Sequence, residues 1–379
     1  MIKETKKINE KAFLIFLYLN VFCKGIGLGN DSKIYLLLLF LSIFFIVFKI
    51  INEKYTKNEF LICGLMFIIG LVSFLVTHKP TLFLTIICLI GMKNVNIDKI
   101  FKGMFNIRFV GFILIISLSL IGIIPNNSIS MWRNGKLDVR YALGFGHPNS
   151  LHLALFILIS LYLYIKNKNI KLINYIFLII INQFIYHYSL SRTGYLLTFL
   201  LIITFMVIKY IKVNKRIINI FTKLLLIFLI AFSFISGLMY SPNNDVMNKL
   251  NKIFNGRIAF SNYYLKNYDA TLFGNRTILQ DNKALFDNGY LFLYLQYGII
   301  GMIFIIGLIY EIIKSKEIKN DCKKNVLVLF YLVYLFVESF SPNIFMNIIL
   351  LFGSYVIFEN QDIKRKDRDG EKNFEKLYL

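Results

Sequence analysis

Five residues in this chain have types and settings that could do chemistry: Arg140, Arg192, Arg257, His147 and Asp287. A guanidinium keeps its charge and pairs bidentately with phosphate oxygens. Several arginines gathered at one depth would therefore bind a phosphate-bearing anion, and they could stabilise a departing diphosphate where another enzyme uses a metal. A positioned histidine or carboxylate could take the proton of an attacking hydroxyl, which makes His147 and Asp287 the candidate bases. Asn149, Asn288 and Tyr290 flank these two and could hydrogen-bond a sugar. Plainer roles compete. His147 before Pro148 could bond a helix start, Asp287 could cap the helix after it, Tyr290 suits an interfacial anchor, and arginines at helix ends can snorkel to ordinary phospholipid. Arg257 fits that last role least, because it falls on the apolar stripe of its predicted helix. His152 and His187 read as packing or interface histidines.

The elements that must position these residues are membrane helices. Of 379 residues, 57% are hydrophobic and 17% charged, far more apolar material than a soluble core of this size buries. It comes in runs such as Ile34 to Ile51 and Ile107 to Ile124, each long enough to cross about 30 Å of hydrocarbon as a helix. The fold class expected is all-α and polytopic, with about twelve spans. They are placed near 12–28, 33–51, 59–77, 80–92, 105–124, 148–165, 170–188, 192–210, 219–240, 288–313, 325–340 and 343–358. The first run follows a Lys-rich start without a small-residue cleavage pattern and reads as a retained helix. Cys23, Cys63, Cys88 and Cys322 show no metal-ligand spacing, so neither a metal site nor a disulfide framework is indicated.

The net charge of +22 does not point to nucleic acid, because the basic residues fall in every second connection. Lys3 to Lys11, Lys49 to Lys57, Lys93 to Arg108, Lys166 to Lys171, Lys209 to Lys223, Lys314 to Lys324 and the tail from Lys364 form one set, against only Lys24, Lys33, Lys79 and Arg192 in the short alternate connections. By the positive-inside rule the first set is cytoplasmic and both termini lie inside. The chain reads as a single membrane domain, 1–379, with two long outer loops, 125–147 and 241–287. In the second, Val246, Leu250, Ile253, Arg257 and Tyr264 recur at helical spacing after Asn243, Asn244 and Asp245, which predicts one amphipathic helix on the membrane surface. Together with Arg133, Arg276 and Glu338, the candidate residues gather at the outer boundary. An ion or proton carrier would instead place ionisable groups along the middle of its helices.

Three stretches, in order, resemble the superfamily of Wzy-type polysaccharide polymerases and O-antigen ligases. Arg140-Tyr-Ala-Leu-Gly-Phe-Gly-His147-Pro148-Asn149 is similar to the Gly-His-Pro-Asn segment of capsule and exopolysaccharide polymerases, and Ser191-Arg192-Thr193-Gly194 to a Ser-Arg-Thr/Gly step. Asn255-Gly256-Arg257, then Leu272-Phe273-Gly274-Asn275, Asp287-Asn288-Gly289-Tyr290 and Gly298-Ile-Ile-Gly301 resemble the run through the large loop. The resemblance implies a glycosyltransferase of the bacterial cytoplasmic membrane, joining undecaprenyl-diphosphate-linked oligosaccharide repeat units on its outer face without a soluble cofactor. Its partners would be the lipid-linked substrate, membrane lipids, and flippase and chain-length regulator proteins. Ligases typically carry His where this chain has Asp287, which tilts the reading toward polymerase. The alternatives are a ligase-like transferase of a finished glycan, or a flippase or transporter of lipid-linked sugars; the latter should show related halves, and none is visible.

Overall fold

The computed structural model describes residues 2–29, 32–133, 135–166, 169–276 and 286–358. Lys168, the 277–285 stretch of the second long loop and the basic tail from Lys364 lie outside the described residues. The first half of the chain forms α1 (Ile2–Gly25), α2 (Lys33–Ile51), α3 (Lys57–Thr77), α4 (Thr81–Gly91), α5 (Ile97–Leu120), a hairpin of β1 (Ser128–Arg133) and β2 (Lys136–Tyr141), α6 (Pro148–Lys166) and α7 (Leu172–Ser189). The second half adds α8 (Arg192–Tyr210), α9 (Lys215–Met239), α10 (Asp245–Ile253), α11 (Arg257–Asn267), α12 (Gly289–Lys314), α13 (Lys316–Lys319), α14 (Cys322–Val337) and α15 (Gly353–Ile357).

Eight of these helices, α2, α3, α5 to α9 and α12, are long and apolar enough to cross a membrane. Their outward faces carry residues such as Phe40, Phe44 and Phe60, each more than 70% exposed, in a continuous apolar surface that water would not tolerate. The chain is a helical membrane protein. Polar residues face inward: α6 is the most buried of the long helices, with 78% of its span covered, and α14 packs on α6, α8, α9 and α12.

Local sequence sets most helix ends. Thr56 caps α3 in a reciprocal capping box with Glu59, and Asn96, whose side chain accepts from Lys99 N, starts α5. That cap opens α5 earlier than the apolar run predicts, and it moves Arg108 from an expected helix end to the twelfth of 24 residues, where it is 3% exposed. The first long loop, 125–147, contains the β1–β2 hairpin, which pairs Ile129 with Arg140. The single amphipathic helix expected in the second loop is instead two, because Asn255 and Gly256 take left-handed backbone conformations, φ 52° and 86°. Asn244 caps α10 as its sequence suggests, and no residue of α10 is buried.

Two irregularities shape the region around the candidate residues. The expected twelfth helix is not one: 338–347 runs as a buried irregular strap, followed by a 3-10 turn, Ile348–Phe352, and α15. Side chains satisfy the strap's backbone, as buried chain in an apolar setting requires. Thr85 Oγ1 donates to Pro342 O and accepts from Ile344 N, Ser341 Oγ donates to Gly289 O, and Asn347 Nδ2 donates to Ser341 O. The second is a break in α12 at Gly298, φ 75° and ψ −179°. The Thr271–Asn275 segment fills it: Ile299 N donates to Thr271 O at 2.9 Å, Ile300 N to Leu272 O at 3.0 Å and Asn275 N to Gln296 O at 3.3 Å. A Cβ on Gly274 would stand 2.1 Å from Gln296 O, so only glycine lets the two backbones meet.

Candidate functional site

Five separate pieces of chain converge on one polar cluster: the end of β2, the turn into α6, the first residue of α11, the residue ahead of the α12 cap, and the residue after α14. Arg257 is the hub. Its Nη2 lies 3.3 Å from Asp287 Oδ2 and 3.8 Å from Glu338 Oε1. Asn149 carries the connection onward, with Nδ2 donating to Glu338 Oε1 at 3.0 Å and Oδ1 accepting from Arg140 Nη2 at 2.6 Å. Arg140 Nε donates to Ser189 O at 2.9 Å, which ties the network to the turn before α8. Arg257 Nε is buried and has no hydrogen-bond partner among the described residues, so within them the hub keeps an unused donor.

Burial and like charge tune the two carboxylates. Burial pushes Asp287 above the usual carboxylate range, and the Arg257 guanidinium pulls it back. Glu338 is also raised, first by burial and then by the Asp287 charge, with Arg257 and the Asn149 hydrogen bond opposing. Two acids sharing one arginine behave as a coupled pair that resists losing its last proton, a character suited to general acid–base work near neutral pH. His147 is held neutral, lowered by burial and then by Arg140. Its Nδ1 accepts from Asn149 N at 3.0 Å, so in the neutral ring Nε2 bears the proton and no ring lone pair is left to act as a base. The geometry therefore favours the Asp287–Glu338 pair as base and leaves His147 as a donor and as an anchor of the α6 turn.

The other candidates divide. Asp287 is not the α12 cap: Asn288 takes that place, accepting from Tyr290 N at 3.0 Å and Leu291 N at 3.2 Å while donating to Ser233 Oγ at 3.0 Å. Asn288 is 6% exposed with its side chain committed to these bonds, and this corrects its reading as a sugar contact. Tyr290 is corrected likewise. It is fully buried and donates to Leu332 O at 2.9 Å, so it holds α12 to α14 instead of anchoring at an interface. Arg192 opens α8 as an exposed residue, outside the ion-pair cluster. Its neighbour Ser191 is buried, and Ser189 binds both Arg140 and His152. His152 is a packing histidine, bridging Ser189 Oγ at 3.0 Å and Asn182 Oδ1 at 2.9 Å. His187 is exposed, with its ring edge-on to Tyr188. Arg276 is exposed in the loop.

Sequence reasoning placed Glu338 at this boundary without giving it a role. The signal was present: it is an acid directly after the apolar run Val326 to Val337, where an unpaired carboxylate would be costly. A concavity of about 590 Å³ lies away from all this at the start of α9, lined by Asn214, Lys215, Arg216, Lys319 and Asn320. It is a solvated basic rim without a candidate nucleophile or base. The chain matches no protein-family profile, no curated protein and no solved structure.

Proposed function

We propose that the chain is a polysaccharide polymerase of the bacterial cytoplasmic membrane, joining undecaprenyl-diphosphate-linked repeat units at its outer boundary, with both termini inside and with the irregular strap, 3-10 turn and α15 together making the last of about twelve crossings. The observation that carries this reading is Arg257, fixed between Asp287 and Glu338 with a buried, unused Nε. An arginine so held can donate to a phosphate oxygen, and two carboxylates of raised proton affinity stand beside it. In the reaction, the acceptor hydroxyl gives its proton to the Asp287–Glu338 pair and its oxygen bonds to the anomeric carbon of the donor. The bond from that carbon to the diphosphate oxygen breaks, and the electron pair leaves on the diphosphate, whose charge Arg257 and Arg140 stabilise. Asp287, where ligases of the resembling superfamily carry His, favours the polymerase over the ligase.

The test is reconstitution of purified protein in liposomes with a lipid-linked repeat unit and separation of the products on a gel. Wild type should yield a ladder of lengthened glycan. Arg257→Ala should lower the rate by about 10²–10³-fold, the scale of removing one charge-stabilising donor, and Asp287→Ala should also lower it. Arg192→Ala should slow elongation without changing thermal stability, as befits an exposed residue that meets substrate only. A ladder indifferent to both Arg257→Ala and Asp287→Ala, or lipid moved between leaflets with no elongation, overturns the proposal.

A further inference from the structure

A second basic site lies on the far side of the His147–Ser150 turn. Arg108, halfway along α5, is 3% exposed and cannot snorkel to a membrane surface. Its Nη2 donates to Phe345 O in the irregular strap, and its Nε is buried without a partner among the described residues. Two buried lysines here sit beside carboxylates: Lys49 pairs with Glu53 and Lys93 with Glu59. Arg108 has no ion pair among the described residues. A guanidinium buried among helices without a counter-charge is expensive, and such residues mark ligand paths more often than they stabilise a fold.

Arg108 borders a cavity of about 310 Å³ closed by the end of α1, the turn into α6 and the strap. Lys24 is the second cation on its wall, steadied by Leu28 O at 3.1 Å and lying 3.9 Å above the Tyr35 ring. Ser150 and Asn343 add polar side chains, and the glycine-rich backbone at Gly27, Gly29 and Gly146 lets a ligand approach closely. No acid lines it among the described residues. A buried arginine and a lysine with neutral donors around them describe a receptor for an anion, and the arginine fork matches phosphate oxygens.

We propose that this cavity binds a phosphate-bearing anion on Arg108 and Lys24, at a site separate from Arg257. The ligand chemistry is a phosphate or diphosphate group, carried by a lipid headgroup or free in solution. Gly146 and Ser150 line the cavity while His147 and Asn149 between them face the Arg257 network, so binding at one side would be felt at the other. The proposal does not depend on the polymerase reading. If that reading holds, two phosphate seats flanking one turn suit a reaction between two lipid diphosphates.

The test uses the full chain in nanodiscs of zwitterionic lipid, carrying Arg257→Ala to silence the first site, with radiolabelled farnesyl diphosphate as the probe and inorganic pyrophosphate as competitor. Arg257→Ala protein should bind the probe, and adding Arg108→Gln should weaken binding at least ~10-fold. Glutamine removes the buried charge but ends short of Phe345 O, which Nη2 reaches, so thermal unfolding is measured alongside binding to show that the variant is folded. Competition by pyrophosphate as effective as that by unlabelled farnesyl diphosphate assigns the site to free anions; competition by farnesyl diphosphate alone assigns it to a lipid headgroup. Unchanged affinity in folded Arg108→Gln protein, or no binding to the Arg257→Ala parent, overturns the proposal. If Arg108→Gln does not fold, Ala154→Phe replaces it, filling the cavity from α6 with the arginine intact, and unchanged affinity there is equally decisive against the site.

Discussion

Gly289→Ala is a one-carbon change that should damage the candidate site without touching any of its side chains. Gly289 is the first residue of α12, buried where that helix meets the end of α14. A Cβ there would stand 2.5 Å from Leu335 O and 2.8 Å from Glu338 O, whereas ordinary C···O contacts begin near 3.3 Å. Both neighbours are backbone atoms that cannot swing away, so α12 and α14 must part by roughly 0.8 Å to restore that contact. Overpacking of this kind costs about 1–3 kcal/mol of stability. It also displaces Asp287, two residues upstream, from Arg257, an ion pair now at 3.3 Å. A misplacement approaching 1 Å in a catalytic arrangement can lower a rate by about 10²-fold. The control is Gly307→Ala in the same helix, where an added Cβ meets nothing within 4 Å and the gain in helix propensity is up to ~1 kcal/mol. The assays are thermal unfolding by circular dichroism in detergent and glycan elongation in liposomes. The result refuting the reasoning is a Gly289→Ala protein that melts with Gly307→Ala and elongates at the wild-type rate.

Two further outcomes are expected. Because Asp287 and Glu338 bind protons more tightly folded than unfolded, stability should fall as pH rises from the ordinary carboxylate range, about 4, through their raised folded values. Thermal scans across that window should show a shallower slope for Asp287→Asn than for wild type, and an identical slope would contradict the assignment. Gly274→Ala should destabilise by several kcal/mol, as a Cβ 2.1 Å from Gln296 O must expel the Thr271–Asn275 segment from the α12 break and add left-handed strain of about 1–2 kcal/mol; a melting temperature within a degree or two of wild type would show that the two backbones do not meet.

Much of this arrangement is legible along the chain, and what is missed shares a cause. The helix expected at 192–210 is observed at Arg192–Tyr210, and that at 33–51 at Lys33–Ile51, because a long apolar run followed by a basic residue needs no tertiary partner to be recognised. Arg257 stands out as a charge on an apolar stripe and Asp287 as a carboxylate at the outer boundary, and the two are paired. The Phe273-Gly274 and Gly298-Ile-Ile-Gly301 stretches were visible as motifs; their reason, one backbone closing the gap in another, was not. The break between α10 and α11 was concealed by apolar spacing that continues across Asn255 and Gly256, and the hairpin by the neglected alternation of Leu137, Val139 and Tyr141.

By itself the sequence determined that this protein lives in a membrane, where its long helices run, and which charged residues are too costly to be idle, since each follows from free energies summed over a dozen or so neighbouring residues. Only the tertiary structure decided that Asn288 rather than Asp287 caps α12, that Tyr290 is buried, that Arg108 faces a cavity inside the bundle, and that Glu338 joins Arg257. The hydrogen bond from Asn149 to Glu338 spans 189 positions. No local free energy encodes such a pair; it exists because α6 and α14 pack together, and close approach at residues such as Gly289 sets the spacing at which their ends meet.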